Sequence, residues 1–175
     1  MNIITKFTIA TEEGTDMIET LTRELAKEKF SSILKQEILE EYIESHLNRK
    51  QLVAEMNDLS NQWLVVYVDN DPAGYAKITS KGKRPKSLES MPAFRIADFA
   101  VRSKYPQFEV KKSLFEKCLL VCKHYEAVWI NEYPSNPYLA FFESNGFVKQ
   151  PEAYQLDELS MQSVCLVFFN NTEKS

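Results

Sequence analysis

No stretch of this chain reaches the roughly 18 consecutive apolar residues that a membrane-spanning helix needs. The apolar run in MNIITKFTIATEE is too short and too interrupted for a secretory leader, so the expected setting is the cytoplasm, with no membrane partner. Positive charge is also in deficit, since 21 Lys and Arg face 25 Asp and Glu for a net charge of −4. Without a global positive field the chain is not expected to bind nucleic acid, although a local basic patch can still hold one small anion. Cysteine is scarce and odd in number. Cys118 and Cys122 stand four apart on one apolar helical face and read as core thiols rather than as a disulfide framework. His46 and His124 add too few ligands for a metal site. No nucleophile elbow or paired base accompanies Cys122 or Ser144, which sets a hydrolase aside. The sequon at Asn170, Asn171 and Thr172 has no meaning in a cytoplasmic chain.

What is present fits a soluble globular protein: 175 residues, 44% hydrophobic, 12% aromatic and 26% charged. A chain this long buries roughly two thirds of its unfolded surface and needs no disulfide to stand. One domain over residues 1–170 with a frayed tail at 171–175 is expected, since no internal repeat or second composition regime interrupts it.

In chain order, residues 3–10 alternate as a strand, and Thr11 or Thr15 can cap a helix carrying Ile18, Leu21 and Leu25. From Lys35, an apolar stripe of Ile38, Leu39, Tyr42, Ile43, His46 and Leu47 predicts the clearest helix. Its other faces carry Glu37, Glu40, Glu41 and Glu44, read as solvated. Residues 48–51 form a capping box for a further helix with Leu52, Val53 and Met56. Strands at 63–68 and 73–79 flank Asp69, Asn70, Asp71 and Pro72, a hairpin signal, with Gly74 as a candidate bulge. The loop SKGKRPKSLESMP then crowds Lys81, Lys83, Arg84 and Lys86 together, either as a solvated loop or as the border of a ligand mouth.

The rest of the chain is organised around residues 94–147, which parse as strand, loop, helix, strand and helix. A buried strand feeding a helix start leaves backbone N–H groups where an anion can dock. Residues 94–101 are nearly continuously apolar apart from Arg95 and Asp98, as in a strand covered on both faces. Asp98 is either a general base or a structural acceptor for backbone or Arg95 donors. Val110, Leu114, Cys118, Leu119, Val121 and Cys122 make the core face of the next helix. A short strand comes next at 127–130, then a helix with Asn136 as cap and Pro137 in its first turn, ended by Asn145 and Gly146. Residues 164–169 close the chain as a strand after a loop around Pro151.

This order of elements, together with VDNDPAGYAKI across the hairpin, FAVRSKY leaving the central strand and LAFFESNGF in the last helix, resembles the GCN5-related N-acetyltransferase family. The stretch ILEEYIESHLNRKQLVAEMND followed by NQWLVVYVDNDPAGY is similar in layout to its spermidine and spermine acetyltransferase subgroup. The likeness covers nearly the whole chain. It implies an α/β (α+β) fold with a mixed, mostly antiparallel sheet of about seven strands flanked by helices. It also implies an acetyl-CoA-dependent N-acetyltransferase acting on a primary amine of a small molecule or peptide, with a homodimer as one arrangement open to it.

The resemblance places acetyl-CoA against Phe99, Ala100, Val101, Gln107, Phe108, Glu109, Val110, Lys111, Lys112 and Ser113, and against Asn136, Phe141 and Phe142, with the pantetheine arm received in a gap between the central strand and the strand at 127–130. The family cradles the pyrophosphate with a Gln/Arg-x-x-Gly-x-Gly/Ala loop, and here the segment is YPQFEVKK. Aligned without a gap, the glycine positions fall on Glu109 and Lys111. A one-residue shift recovers Gln107 but puts Val110 and Lys112 there. Lys111, Lys112 and Lys104 can offset the Glu109 charge, whose repulsion of a phosphate at about 4 Å is about 1 kcal/mol in water and up to about 4 kcal/mol near a protein surface.

The family's acid, a tyrosine of the last helix, aligns with Phe142, which has no proton to give. Tyr138, one helical turn earlier, is the candidate acid, with packing as its other reading. The family's strand acid aligns with Ala97, leaving Asp98 on the opposite face as a structural residue, or as a base if a bulge turns it back. The competing expectation is a catalytically degenerate acetyltransferase fold that binds a ligand or a protein.

Overall fold

The computed structural model describes residues 1–152, 154–156 and 158–170; the expected tail at 171–175 lies outside them. Two compact units share the chain: Met1–Ile78 with Asp98–Cys118, and Thr79–Ala97 with the residues from Leu119 on.

In the first unit, β1 (Ile3–Thr8) runs antiparallel to β2 (Asn61–Val68), with Ile3 opposite Val68 and Thr8 opposite Trp63. β2 turns into β3 (Asp71–Thr79) through Asp69 and Asn70, whose φ angles are 49° and 70°. Two consecutive positive φ values match the twist of a tight hairpin, and Asp and Asn tolerate them because their short polar side chains fit that backbone. Between β1 and β2 lie α1 (Glu12–Phe30), α2 (Gln36–His46) and α3 (Arg49–Asn57). Thr11 is the cap of α1, its hydroxyl accepting from Gly14 N at 3.0 Å. Asn48 caps α3 by accepting from Gln51 N at 2.9 Å. Ile18, Leu21 and Leu25 are buried as their spacing predicts. The stripe on α2 is narrower than expected: Leu39, Ile43 and Leu47 are buried, whereas Ile38 is 45% exposed. Successive steps of four keep one line of side chains inward, and Ile38 falls beside that line.

β4 (Ala93–Val101) contributes its last residues to this unit and leads to α4 (Phe108–Val121). Gly74 on β3 is explained by close approach rather than by a bulge. A Cβ there would stand 2.4 Å from the Ala100 carbonyl oxygen and 2.8 Å from Val101 Cα. Arg102 N donates to Ala73 O at 2.8 Å just beyond the strand.

In the second unit, Ala93, Phe94 and Arg95 of β4 pair in parallel with Ala127, Val128 and Trp129 of β5 (Ala127–Glu132). β5 is antiparallel to β8 (Gln162–Phe169), from Ala127 opposite Phe169 to Glu132 opposite Val164. Two short strands, β6 (Val148–Lys149) and β7 (Tyr154–Gln155), also pair with β8. Strand order is β1-β2-β3-β4-β5-β8-β6 with β7 on β8, eight strands where about seven were expected. The extra strand is β7, whose two residues carry too little pattern to be read from sequence. The last helix, α5 (Leu139–Ser144), starts later than predicted. Asn136 caps a turn ahead of it instead, with Oδ1 accepting from Tyr138 N at 2.8 Å and its carbonyl from Leu139 N at 3.2 Å.

Candidate functional site

The junction of β4 and α4, which lies wholly in the first unit, gathers ten of the residues expected to meet the cofactor or do chemistry, with Asp98. Phe99, Ala100 and Val101 are buried as the strand ends, at 3%, 6% and 9% exposure. Gln107, Phe108 and Glu109 are exposed at the helix start, Val110 is buried, and Lys111 and Ser113 are half-buried around an exposed Lys112. The first turn of an α-helix directs N–H groups outward without intrahelical partners, although Val110 N already donates to Gln107 O at 3.2 Å. Ser113 is drawn inward by a hydroxyl pair with Thr5, 2.8 Å apart.

A glycine-free connection is held in place by charge. Arg102 donates to Pro72 O at 2.7 Å and to Glu24 at 2.6 Å, and the Ser103 amide and hydroxyl both bond Glu28, at 3.1 and 3.2 Å. Asp71 accepts from Lys104 at 2.9 Å and from the Tyr105 hydroxyl. These bonds pin the connection that leads from β4 to the α4 start. They also occupy Lys104, one of the cations expected to face a phosphate. Lys112 stands 3.6 Å from Glu116, an exposed pair of little energetic weight. Lys111 lies over the Phe108 ring, 6.0 Å from its centre.

The Tyr105 hydroxyl first and Lys104 second hold the Asp71 carboxyl below the usual carboxylate range, while the hydrogen bond to Asp71 raises both Tyr105 and Lys104. For a carboxyl lowered on folding, the stabilisation is present above its unfolded pKa and is lost as pH falls through the folded value. For the two raised groups it is present at neutral pH and is lost as pH rises through their folded values. An NMR titration is therefore expected to find Asp71 ionising below exposed aspartates, and Tyr105→Phe to move it back up. An Asp71 that titrates with the exposed group in both proteins would refute this latch.

Among the described residues Asp98 meets three donors, and Arg95 is not one of them. Its Oδ1 accepts from Phe99 N at 2.9 Å and faces Lys29 Nζ at 3.6 Å; its Oδ2 accepts the Tyr75 hydroxyl. Arg95 lies instead over Trp129, with its guanidinium carbon 4.8 Å from the ring centre. Both Asp98 oxygens are thus engaged, which suits an acceptor that ties α1 and β3 to β4 better than a base awaiting a proton. The Lys29 and Asp98 side chains are 16% and 28% exposed. Asp98→Asn is expected to cost about 1–2 kcal/mol, a melting shift of a few degrees, because it removes the negative charge that faces a largely buried ammonium. In a double-mutant cycle with Lys29→Met, the combined loss should fall short of the sum. Additive losses would dismiss the pair.

In the second unit the remaining candidates cluster at α5. Asn136 is buried, Tyr138 is half-buried at the residue preceding the helix, and Phe142 N bonds Tyr138 O at 3.0 Å, so the expected one-turn spacing holds. Phe142 is 1% exposed within an aromatic chain: 5.8 Å from Phe141, 5.5 Å from Phe147, with Phe147 5.3 Å from Phe168 between ring centres. It presents almost no surface to a ligand. The Ser144 hydroxyl donates to Phe141 O at 2.8 Å, and burial pushes the Cys122 thiol up to about 12, so neither is prepared as a nucleophile. Among the described residues, no group of His, Cys, Asp and Glu could hold a metal ion, and no helix is long and apolar enough to cross a membrane.

Sequence reading missed Lys29 and Tyr75 as the partners of Asp98, since Lys29 is one of many lysines and Tyr75 looks like any strand aromatic. It also missed Asn131, a buried polar residue beside Glu132 at the end of β5, and the short strand β7 that Asn131 meets through Gln155. The acidic residues of α2 are solvated as read, with Glu44 paired to Arg23 at 2.5 Å and Glu40 to Gln36 at 3.0 Å. His46 stacks on Tyr42 with ring centres 5.1 Å apart.

No protein-family model matches the chain. Its fold, however, is that of the GCN5-related N-acetyltransferases. The PaiA N-acetyltransferase of Thermoplasma acidophilum, solved with coenzyme A, superposes with a TM-score of 0.75 at 14% identity, over 97% of this chain and 99% of that one. A GNAT family acetyltransferase of Elizabethkingia anophelis with acetyl-CoA bound gives 0.57 at 15% identity, over 96% and 98%. FeeM, an N-acyl amino acid synthase from uncultured soil microbes, gives 0.67 at 14% identity, over 98% and 92%.

Proposed function

We propose that this protein is an acetyl-CoA-dependent N-acetyltransferase that acylates a primary amine of a small molecule or peptide, as one domain over residues 1–170 working in the cytoplasm. The observation that carries this reading is the β4 to α4 junction: a strand buried to its end, a pinned turn and an outward helix start, within a fold whose solved examples include proteins holding coenzyme A and acetyl-CoA. Fold likeness alone is an analogy for function, so the weight falls on this local geometry.

The fit to acetyl-CoA is partial. Backbone N–H groups at a helix start serve a phosphate whatever side chains they carry, proline excepted. Lys111 and Lys112 add positive charge in the first turns, while Glu109 subtracts it and the missing glycines keep side chains where backbone would otherwise approach. Acetyl-CoA, when bound, supplies the activated acyl group. The chain's own part is to hold it at Phe99 to Val101 and at the α4 start, with Tyr138 as the candidate acid and Asp98 a tether rather than the base. Amine attack on a thioester depends heavily on positioning, so catalysis does not require a strong acid. Calorimetric titration with acetyl-CoA at low and moderate salt tests the reading. Binding that weakens as salt rises is expected, and no heat at millimolar acetyl-CoA would overturn it.

A second reading, a degenerate fold that binds without catalysis, is favoured by one specific observation. The position of the family's acid is held by Phe142, buried in an aromatic chain and without a proton to donate. Acetyl-CoA binding with no amine acetylation above a protein-free control would select it.

A further inference from the structure

The basic loop after β3 borders a cleft lying entirely in the second unit. The cleft measures about 900 Å³, and its lining includes Lys83, Arg84 and Lys86 together with Asn131, Glu152 and Gln155, large enough for a small organic ligand. The loop is seated on the sheet face below: at Gly82, with φ +111°, a Cβ would stand 3.0 Å from Arg95 Nη1 and 3.2 Å from the Trp129 ring. Arg84 is anchored through Met91 O at 2.9 Å, and Lys83 and Lys86 are exposed. Of the acids, Glu152 accepts the Tyr154 hydroxyl at 2.6 Å, and Glu89 is the other carboxylate in the lining.

Asn131 gives this cleft its chemistry. It is 7% exposed, and its Nδ2 donates to Gln155 O at 3.1 Å, but its Oδ1 has no hydrogen-bond partner among the described residues. Exchanging the amide's O and N would set two oxygens against each other at Gln155, so the orientation is fixed. A buried, unpaired amide oxygen is costly and calls for an N–H or O–H donor. Trp129 and Asn131 lie two apart on β5 and therefore share the face on which the loop rests.

We propose that this cleft binds a small ligand combining an anionic group with an N–H donor, specifically a short peptide ending in a free carboxylate. Lys83, Lys86 and Arg84 take the carboxylate and Asn131 Oδ1 accepts the adjacent amide N–H. The inference rests on the second unit alone and does not depend on acetyl transfer.

The test is an NMR titration of the full chain, without acetyl-CoA, using three probes: N-acetyl-alanyl-alanine as free acid, its carboxamide, and acetate. Saturable shifts of the Asn131 side-chain amide and of the backbone amides of Lys83 and Lys86 are expected with the free acid. Affinity should be at least about tenfold weaker for the carboxamide, which lacks the charge, and for acetate, which lacks the N–H. Lys83→Ala with Lys86→Ala, both solvent-facing, should weaken the free acid severalfold at unchanged melting temperature. Equal affinity of acid and carboxamide, equal affinity of acid and acetate, an unaffected double variant, or no saturable shift at millimolar peptide would each overturn the proposal.

Discussion

Phe142→Ala is expected to lower the unfolding free energy by about 3–5 kcal/mol, the range for emptying a buried aromatic site. For a chain of this size that corresponds to a fall of about 6–20 °C in melting temperature. The loss is placed high because Phe142 joins Phe141 to Phe147, which in turn meets Phe168 on β8. Removing the middle ring therefore withdraws contact from α5 and from the chain beyond Gly146. Phe142→Tyr separates packing from chemistry. Its hydroxyl enters a site whose ring neighbours are Phe141 and Phe147 and is expected to cost about 1–3 kcal/mol as an unsatisfied buried group. The same burial predicts no rise in turnover, because the added oxygen has no open face. Differential scanning calorimetry and initial rates on the two variants decide the matter. A higher kcat at unchanged KM in Phe142→Tyr would show that position 142 reaches the reacting atoms after all. Unchanged turnover leaves Tyr138 as the hydroxyl to assay next, through Tyr138→Phe.

Lys111→Glu combined with Lys112→Glu is expected to weaken acetyl-CoA binding by about 2 kcal/mol or more, roughly 30-fold in Kd, taking about 1 kcal/mol as the least that each reversal contributes beside a phosphate. The salt dependence of the remaining affinity should flatten, because less of it is then electrostatic. Neither lysine is buried, so the fold is expected to survive, and a circular-dichroism melt run beside the calorimetry verifies that. Glu109→Gln supplies the opposite sign: it removes the repelling carboxylate at the helix start and should tighten binding. A double variant that binds acetyl-CoA as the parent does would detach the cofactor from this junction.

Much of the fold was legible because its signals are local. Thr11 and Asn48 cap helices through their own hydroxyl and amide oxygens a few residues away. Asp69 and Asn70 make a turn from their own φ preferences. Ile18, Leu21 and Leu25 bury one face by spacing alone. The candidate junction at β4 and α4 was legible for the same reason: a nearly unbroken run of apolar residues reads as a central strand, and the amphipathic spacing after it reads as a helix. Local patterns gave poorer bounds where a short polar residue could serve two turns, as Asn136 does ahead of α5.

Most of the order of elements, the buried face of α1 and the absence of glycine from the segment YPQFEVKK are written in the amino-acid sequence. The bonds that pin the connection ahead of α4 are not, since Asp71, Glu24 and Glu28 reach it from distant segments only once the chain has folded. Folding likewise settles that Asp98 answers to Lys29 and Tyr75 rather than to Arg95, and that Gly74 is small because Ala100 and Val101 pass beside it. The basic loop's place beside Asn131 belongs to the same class. Each of these is a pairing between residues far apart in the chain, and a carboxylate or a glycine read in sequence carries no mark of which distant group will come to meet it.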